Sequence, residues 1–239
     1  MSGKEKRIIA LDYSSQEEAL ALVGILGEEA TYYKVGMELF YSSGGDIVRH
    51  LKAAGKKVFL DLKLHDIPNT AAKGLGALTR LGADMLNVHA SGGLEMMRRA
   101  GEVVAEEALR CGLQAPVVLA VTVLTSIGDA DWQGLGQQMP IASQVVRLAK
   151  LTKEAGLDGV VASPKEASAI REACGEGFLI VTPGVRPSGS AADDQTRIAS
   201  PAEALKNGST HLVIGRPIRK AADPVAAARQ ILTEMRSVK

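Results

Sequence analysis

The chain repeats one pattern from end to end: a short apolar run, rich in β-branched residues, is followed by a longer segment with helical periodicity. Eight such runs occur in 239 residues. The predicted strands are RIIALD (7–12), YYKVGM (32–37), KVFLDLK (57–63), ADMLNVHA (83–90), PVVLAVTV (116–123), DGVVAS (158–163), FLIVTPGV (178–185) and HLVIGRPI (211–218). Strands that alternate with helices predict a parallel sheet, because each helix carries the chain back to the edge where the next strand starts.

The number of strands favours a closed sheet. Both parities of the strands are apolar, as expected where helices cover one face of a parallel sheet and packed side chains fill the other. We therefore predict a single-domain α/β protein, a (β/α)8 TIM barrel over residues 1–239. The alternative is a doubly wound open sheet. That class more often has fewer strands, and the first predicted turn, ALDYSSQEE, lacks its G-x-G-x-x-G pattern.

Punctuating residues mark several predicted helices. A serine and a glutamate open the segment 14–26 (SSQEEALALVGIL) in the manner of a capping box, and a glycine ends the segment 69–82 (NTAAKGLGALTRLG). The segment 163–175 (SPKEASAIREACG) places Pro164 in its first turn and Gly175 after its end. These signals predict well-formed helical connections between the strands.

Charge and cysteine content exclude several classes of protein. The net charge of +1 provides no electrostatic reason to bind nucleic acid or an anionic membrane. Cys111 and Cys174 lie outside any zinc-ligand spacing, so neither a metal site nor a disulfide framework is predicted. The apolar run near the amino terminus is too short for a signal peptide, and no stretch approaches the roughly 18 residues of a membrane span. We expect a cytoplasmic protein.

Charged side chains collect at the carboxyl ends of the first three predicted strands. Side chains alternate faces with a period of two, so four of these residues share the parity that points into the barrel mouth. They are Asp12, Lys34, Asp61 and Lys63. The active site of this fold lies at that end. The alternative is a set of rim salt bridges, but a buried network of alternating charges loses desolvation energy that apolar packing would avoid, which favours a functional site.

The loops after the seventh and eighth predicted strands have the composition of a phosphate site. They contain glycines together with Arg186 and Arg216, and phosphate groups commonly bind at this position in such barrels. Arg216, beside Gly215 at a strand end, is the stronger candidate, because Arg186 alone could equally be a surface arginine. The segment 187–199 is long, small and polar, which predicts a lid that contributes Gln195 as a hydrogen-bonding arm.

Taken in order, the segments resemble the orotidine 5'-phosphate decarboxylase family. DLKLHDIPNT (61–70) is similar to that family's active-site motif. The other matching segments are ALD (10–12), KVGMELF (34–40), NVHA (87–90), AVTVLTS (120–126), DGVVAS (158–163), VTPGVR (181–186), DDQ (193–195) and VIGRPI (213–218). The pattern D-x-K-x-x-D alone is shared with related decarboxylases and synthases that act on sugar phosphates, whereas the ordered set is specific to the family.

The resemblance implies decarboxylation of orotidine 5'-phosphate to uridine 5'-phosphate without metal or organic cofactor. It implies that Lys63 protonates C6 within a network that contains Lys34, Asp61 and Asp66, and that the protein is a homodimer in which Asp66 enters the site of the neighbouring subunit. The other implied site residues are Asp12 and Lys34 at the ribose, Ser163 at the pyrimidine edge, Thr125 at the wall, Gln195 between base and phosphate, Arg186, Gly215 and Arg216 at the phosphate, and Ile67 and Thr70 beside Asp66.

Three alternatives stay open at this point. A magnesium-dependent relative that decarboxylates 3-keto-gulonate 6-phosphate or makes hexulose phosphate would use the same barrel. A catalytically silent phosphate-binding barrel with a regulatory role is a rival of another class. His89, at the end of the fourth strand, could be a site residue or a hydrogen-bonded structural histidine.

Overall fold

A computed structural model describes residues 3–187 and 199–238. Within them, eight parallel strands close into a barrel in which each strand pairs with the next along the chain and the last pairs with the first. The strands are β1 (Arg7–Leu11), β2 (Tyr32–Gly36), β3 (Lys57–Leu64), β4 (Met85–His89), β5 (Val117–Val121), β6 (Gly159–Val161), β7 (Leu179–Thr182) and β8 (His211–Ile214). The structure confirms the predicted (β/α)8 barrel; that residues 1–239 form a single domain stays a prediction.

Helices follow the strands around the outside of the barrel. They are α1 (Gln16–Leu26), α2 (Met37–Ser43), α3 (Asp46–Ala53), α4 (Pro68–Thr79), α5 (Gly93–Cys111), α6 (Asp129–Gly134), α7 (Ile141–Glu154), α8 (Ala167–Cys174), α9 (Pro201–Lys206), α10 (Arg216–Arg219) and α11 (Pro224–Arg236). The predicted cap of α1 is present, because the Ser15 hydroxyl accepts from the Glu18 amide at 3.2 Å. In the described part of the chain, no helix has the length and apolarity to cross a membrane.

Two apolar layers form the core. The larger lies between the strands and the helices, and the smaller fills the inside of the barrel. The inner layer consists of Ile8, Ala10, Tyr32, Phe59, Met85, Leu119, Val181 and Val213. The inward parity predicted for the first three strands is therefore confirmed by Ile8, Tyr32 and Phe59. This apolar plug supports the polar mouth above it.

Several predicted boundaries were wrong. Most predicted strands run past the observed ends, and the largest error is the eighth, because β8 ends at Ile214 and Arg216 begins the short helix α10. The prediction of Pro164 in the first turn of a helix was also wrong, since it lies in a turn and α8 begins at Ala167. A short helix that contains Pro217 and a turn that contains Pro164 each look, by composition alone, like part of the neighbouring element.

Candidate active site at the barrel mouth

A cavity of about 240 Å³ opens at the carboxyl ends of the strands. Its charged and polar lining residues are Asp12, Lys34, Asp61, Lys63, Thr125, Arg186 and Arg216. All seven were candidates in the sequence analysis. Apolar side chains such as Phe59 and Val213 form its floor, and Gly184 and Gly215 contribute backbone to its wall. The fold therefore brings polar groups from both halves of the chain together around one small cavity.

One side of the cavity carries a continuous chain of alternating charges. Lys34 Nζ lies 3.0 Å from Asp12 Oδ1 and 3.5 Å from Asp61 Oδ2, and Lys63 Nζ lies 2.7 Å from Asp61 Oδ1. The side chains of Lys34 and Asp61 are only 12% and 11% exposed. Because Asp61 contacts both ammonium groups, its carboxylate holds together two cations that would otherwise repel each other.

Electrostatics keeps the centre of this chain ionised. Burial by itself would lower the pKa of the Lys34 ammonium, but the carboxylates of Asp61 and Asp12 outweigh it and raise that pKa above its usual value. Burial likewise opposes ionisation of Asp61, but the neighbouring Lys34 and Lys63, with a hydrogen bond from Asn87, lower the pKa of its carboxyl group. The cavity therefore presents fixed charges of both signs.

The backbone that carries Lys63 departs from regular strand geometry. Lys63 has a φ of 51°, in the left-handed region, which among the described residues no other non-glycine residue adopts. The register between β3 and β4 also shifts between Leu60 and Leu64. The Asn87 side chain on β4 accepts a hydrogen bond from the Lys63 amide at 2.8 Å and donates to Asp61 Oδ1 at 2.7 Å. Strained backbone of this kind is concentrated at functional sites.

Two guanidinium groups line the part of the cavity that follows β7 and β8. Arg186 is buried, and its backbone amide donates to the carbonyl oxygen of Ala199 at 3.0 Å, which joins the two ends of the segment that contains residues 188–198. Arg216 begins α10 directly after Gly215. A side chain at position 215 would lie 3.3 Å from the Asp12 carboxylate, so glycine keeps this part of the mouth open. The arrangement suits an anion bound by the two guanidinium groups in the same cavity as the lysine and aspartate chain.

Comparison with known proteins identifies the family. Residues 6–231 match the family model described as "Orotidine 5'-phosphate decarboxylase / HUMPS family", which is nearly the whole chain. The chain belongs to this family. Two relatives named "Orotidine 5'-phosphate decarboxylase" support the assignment. The one from Moorella thermoacetica is 53% identical over 100% of this chain and 95% of its own length, and the one from Syntrophomonas wolfei is 50% identical over 98% and 99%.

A solved structure agrees with the orotidine 5'-phosphate decarboxylase / HUMPS assignment. The orotidine 5'-phosphate decarboxylase from Lactobacillus acidophilus superposes with a TM-score of 0.84 and 41% identity, and the alignment covers 95% of this chain and 97% of that one. Sequence and three-dimensional structure therefore agree over almost the full length.

Four site residues that the resemblance implies do not line the cavity of a single chain of this family member. Asp66, Ile67 and Thr70 are exposed, and Ile67 has 67% of its surface in contact with solvent. The Asp66 carboxylate accepts from the Ile67 amide at 2.7 Å and does not reach Lys63. Ser163 is fully buried next to the lining residue Ala162. Gln195 and the lid prediction fall within residues 188–198, outside the described part of the chain.

The sequence analysis missed Asn87, although its signal was present. The predicted strand ADMLNVHA contains three polar residues, which are Asp84 near its start, His89 near its end and Asn87 in its middle. Met85, Asn87 and His89 share the inward parity on β4, and Asn87 is only 1% exposed. A polar side chain in the middle of a buried strand requires a hydrogen-bonding partner, which here is the β3 segment that carries the charges.

His89 lies beside the charged chain. Its ring centroid is 5.5 Å from that of His65, and it is half-buried. Burial, followed by the nearby His65 and Lys63, lowers the pKa of the His89 imidazole. An uncharged imidazole adds no further positive charge to this side of the mouth.

Proposed function

We propose that the chain decarboxylates orotidine 5'-phosphate to uridine 5'-phosphate and CO2, the last step of de novo pyrimidine nucleotide synthesis. The observation that carries the proposal is one cavity lined by the chain Asp12–Lys34–Asp61–Lys63 and by Arg186 and Arg216. It offers an ammonium to a reacting carbon and guanidinium groups to a phosphate. The names of the relatives from Moorella thermoacetica and Syntrophomonas wolfei support the same activity.

The proposed chemistry requires a positive charge at a fixed point. When the bond between C6 and the carboxyl group breaks, the electron pair stays on C6 in an orbital in the ring plane, where the pyrimidine cannot delocalise it. The Lys63 ammonium stabilises this pair electrostatically and then transfers its proton to C6, and the resulting amine regains a proton from solvent. Asp61 holds the ammonium at 2.7 Å, and Lys34 holds Asp61 from the other side.

Stabilisation of the carbanion must contribute more than repulsion in the ground state. A carboxylate about 4 Å from the substrate's own carboxylate, at an effective dielectric near 20, raises its energy by roughly 4 kcal/mol. Large enzymatic accelerations require about 8 to 23 kcal/mol. Moreover, the two lysines beside Asp61 offset part of the repulsion. The larger share therefore falls to the charge on Lys63, helped by phosphate binding energy that orders the site.

The remaining polar groups bind the substrate in this proposal. Arg186, Gly215 and Arg216 hold the phosphate, and Asp12 with Lys34 holds the ribose hydroxyls. Thr125 lines the base, Ser163 contributes to recognition of the pyrimidine edge, and Gln195 bridges base and phosphate. The proposed reaction uses no metal or organic cofactor. Both oxygens of Asp61 contact ammonium groups, so the role proposed for this carboxylate is to hold the lysines and not a metal ion. We propose that the enzyme acts in the cytoplasm, as one domain over residues 1–239.

We further propose a homodimer in which Asp66 of each protomer completes the site of the other. The exposed Asp66, Ile67 and Thr70 at the start of α4 support this, because an exposed isoleucine next to a carboxylate is suited to contact another chain. In that arrangement Asp66 is a second carboxylate beside the Lys63 ammonium and helps to hold it in position.

The test of the activity is the change in pyrimidine absorbance when orotidine 5'-phosphate is added to purified protein in excess chelator. We expect rapid decarboxylation by the wild type and its loss in Lys63→Ala. Lys57→Ala is the matched control, because Lys57 lies at the opposite end of the same strand and pairs with Glu5 at 3.0 Å. It should retain turnover.

Three results would contradict the proposal. Turnover only of sugar phosphates, and only with magnesium, would assign the chemistry of the magnesium-dependent relatives. Binding of uridine 5'-phosphate without any turnover would favour a regulatory barrel. Full activity in Lys63→Ala would exclude the proposed proton donor.

The shared site is tested by mixing two inactive variants. Homodimers of Lys63→Ala and of Asp66→Ala should each be inactive, but a heterodimer contains one site with both native residues. Random reassociation makes half of the dimers heterodimers with one intact site of two, so about a quarter of wild-type activity should return. No recovery, when mixed dimers are demonstrated by mass spectrometry, would refute the contribution of Asp66 across the interface.

A further inference from the structure

We propose that Asn87 is a positioning residue, which fixes the backbone of Lys63 and the carboxylate of Asp61 in the geometry that aims the ammonium at the substrate. This inference rests on the proposed function, since it concerns the same proton donor. Asn87 is almost completely buried and does not line the cavity. Its proposed role follows from an irregularity in the pairing of β3 with β4.

The irregularity is an excess of residues on β3. Leu60 pairs with Leu86, and the next pairing is Leu64 with Val88. Three residues of β3, at positions 61, 62 and 63, therefore face the single residue Asn87 on β4. An insertion of this kind in a ladder leaves backbone groups without their usual partners. It also places both charged residues of the β3 segment near the mouth.

The Asn87 amide replaces the missing backbone pairing. Its oxygen accepts from the Lys63 amide at 2.8 Å, and its nitrogen donates to Asp61 Oδ1 at 2.7 Å. The same Asp61 oxygen receives the Lys63 ammonium at 2.7 Å. The three residues thus form a closed ring of hydrogen bonds. Lys63 is held to the Asp61 carboxylate directly by its ammonium and, through Asn87, by its backbone amide.

The ring offsets an unfavourable backbone conformation. A non-glycine residue in the left-handed region is sterically disfavoured, and Lys63 adopts this region with a φ of 51°. The buried hydrogen bond from the Lys63 amide to Asn87 is stabilising and offsets part of this strain. Without it, Lys63 would relax toward extended backbone and its side chain would change direction.

Only a side chain with both a donor and an acceptor performs this task at this size. Aspartate could accept from the Lys63 amide but would place a second carboxylate against Asp61. Alanine or leucine would leave the Lys63 amide without its partner. Once protonated, however, an aspartic acid at position 87 has an O–H that can donate to Asp61 as the asparagine nitrogen does.

The test compares turnover with product binding in Asn87→Ala, Asn87→Ser and Asn87→Asp. We expect Asn87→Ala to lose about 100-fold in kcat, the effect of a small misplacement of a reacting group. The Kd for uridine 5'-phosphate, which has no carboxyl group at C6, should change by less than about threefold. Asn87→Ser keeps a polar hydroxyl that can hydrogen-bond near Lys63 and Asp61, and its kcat should lie between those of the wild type and Asn87→Ala. If Asn87→Ala does not fold, Asn87→Ser is compared with the wild type in its place.

Asn87→Asp supplies a readout that a purely structural role would not change. Its kcat relative to the wild type should rise as the pH falls, because protonation restores the donor to Asp61, whereas the relative kcat of Asn87→Ala should not rise. Thr152→Val is the control for general destabilisation. The Thr152 hydroxyl is buried and donates to Leu148 O at 2.8 Å, on α7, so this variant should lose stability and keep its kcat and pH profile.

The outcomes separate this inference from the proposed function. A wild-type chain without turnover would overturn both. An active wild type with Asn87→Ala and Asn87→Ser within about threefold of its kcat would overturn the positioning role alone. A parallel fall in kcat and in affinity for uridine 5'-phosphate, or an Asn87→Asp pH profile parallel to that of the wild type, would show that Asn87 serves the fold and not the orientation of Lys63.

Discussion

The buried histidine at the amino-terminal end of β8 makes the stability of the barrel dependent on pH. His211 is 3% exposed, packs edge-on against Tyr32 with ring centroids 6.3 Å apart, and shares a hydrogen bond of 3.0 Å with the Thr210 hydroxyl. Burial, followed by the ammonium groups of Lys6 and Lys57, lowers the pKa of its imidazole from 6.5 to about 4. The folded protein therefore holds this imidazole neutral at pH values where the unfolded chain is protonated.

The sign and size of the effect follow from proton linkage. The contribution of neutral His211 is complete above the unfolded pKa of 6.5 and is lost as the pH falls toward the folded value of about 4. At 1.36 kcal/mol per pH unit, the full loss is about 3 kcal/mol, of which about 2 kcal/mol has occurred by about pH 5. Other groups titrate in the same interval, so only the difference from a variant without His211 isolates this contribution.

The perturbation is His211→Gln, and the assay is urea unfolding followed by circular dichroism at about pH 7.5 and about pH 5. Between the two pH values, the free energy of unfolding of the wild type should fall by about 2 kcal/mol more than that of the variant. Thr152→Val is the control, because it removes a buried hydrogen bond without a titrating group. Its pH dependence should match that of the wild type. An equal fall in wild type and His211→Gln would refute the reasoning.

Three further predictions concern the site and the barrel wall. Arg216→Ala should reduce kcat/KM for orotidine 5'-phosphate by about 30-fold, or about 2 kcal/mol. Turnover of the nucleoside orotidine, which has no phosphate, should stay unchanged. Wild-type efficiency of the variant on orotidine 5'-phosphate would exclude the proposed role of Arg216. Asp61→Asn should lower kcat by at least about 100-fold and make kcat depend more steeply on pH, because Lys34 and Lys63 lose their shared carboxylate. A variant with the kcat and the pH–rate profile of the wild type would contradict this prediction. Gly159→Ala should prevent folding at about 37 °C, because the added Cβ would lie 2.1 Å from Leu179 O. Gly177→Ala is the control and should fold normally, because a Cβ there has no atom within 4 Å. Equal thermal midpoints of the two variants would contradict this prediction.

The strands were predictable because their signal is local. A buried parallel strand must be apolar on both faces, and the connecting helices carry their own capping residues, so the eightfold alternation can be read without knowledge of any contact. Period-two alternation also predicted that Asp12, Lys34 and Asp61 would meet, since their side chains follow the inward parity. The ends of the strands were less predictable, because apolar residues continue beyond them, as Ile218 does in α10 after the end of β8.

The sequence by itself determined the barrel, the charged groups and the end at which they gather. The tertiary structure decided how those groups act. The left-handed backbone of Lys63 depends on a register shift against β4, and the pKa changes of Lys34 and Asp61 depend on burial and on neighbours from other strands. The hydrogen bonds of Asn87 to Lys63 and Asp61 depend on the same pairing of β3 with β4. Local patterns record which face a side chain occupies, whereas hydrogen bonds and electrostatic energies depend on distances between residues that only folding brings together.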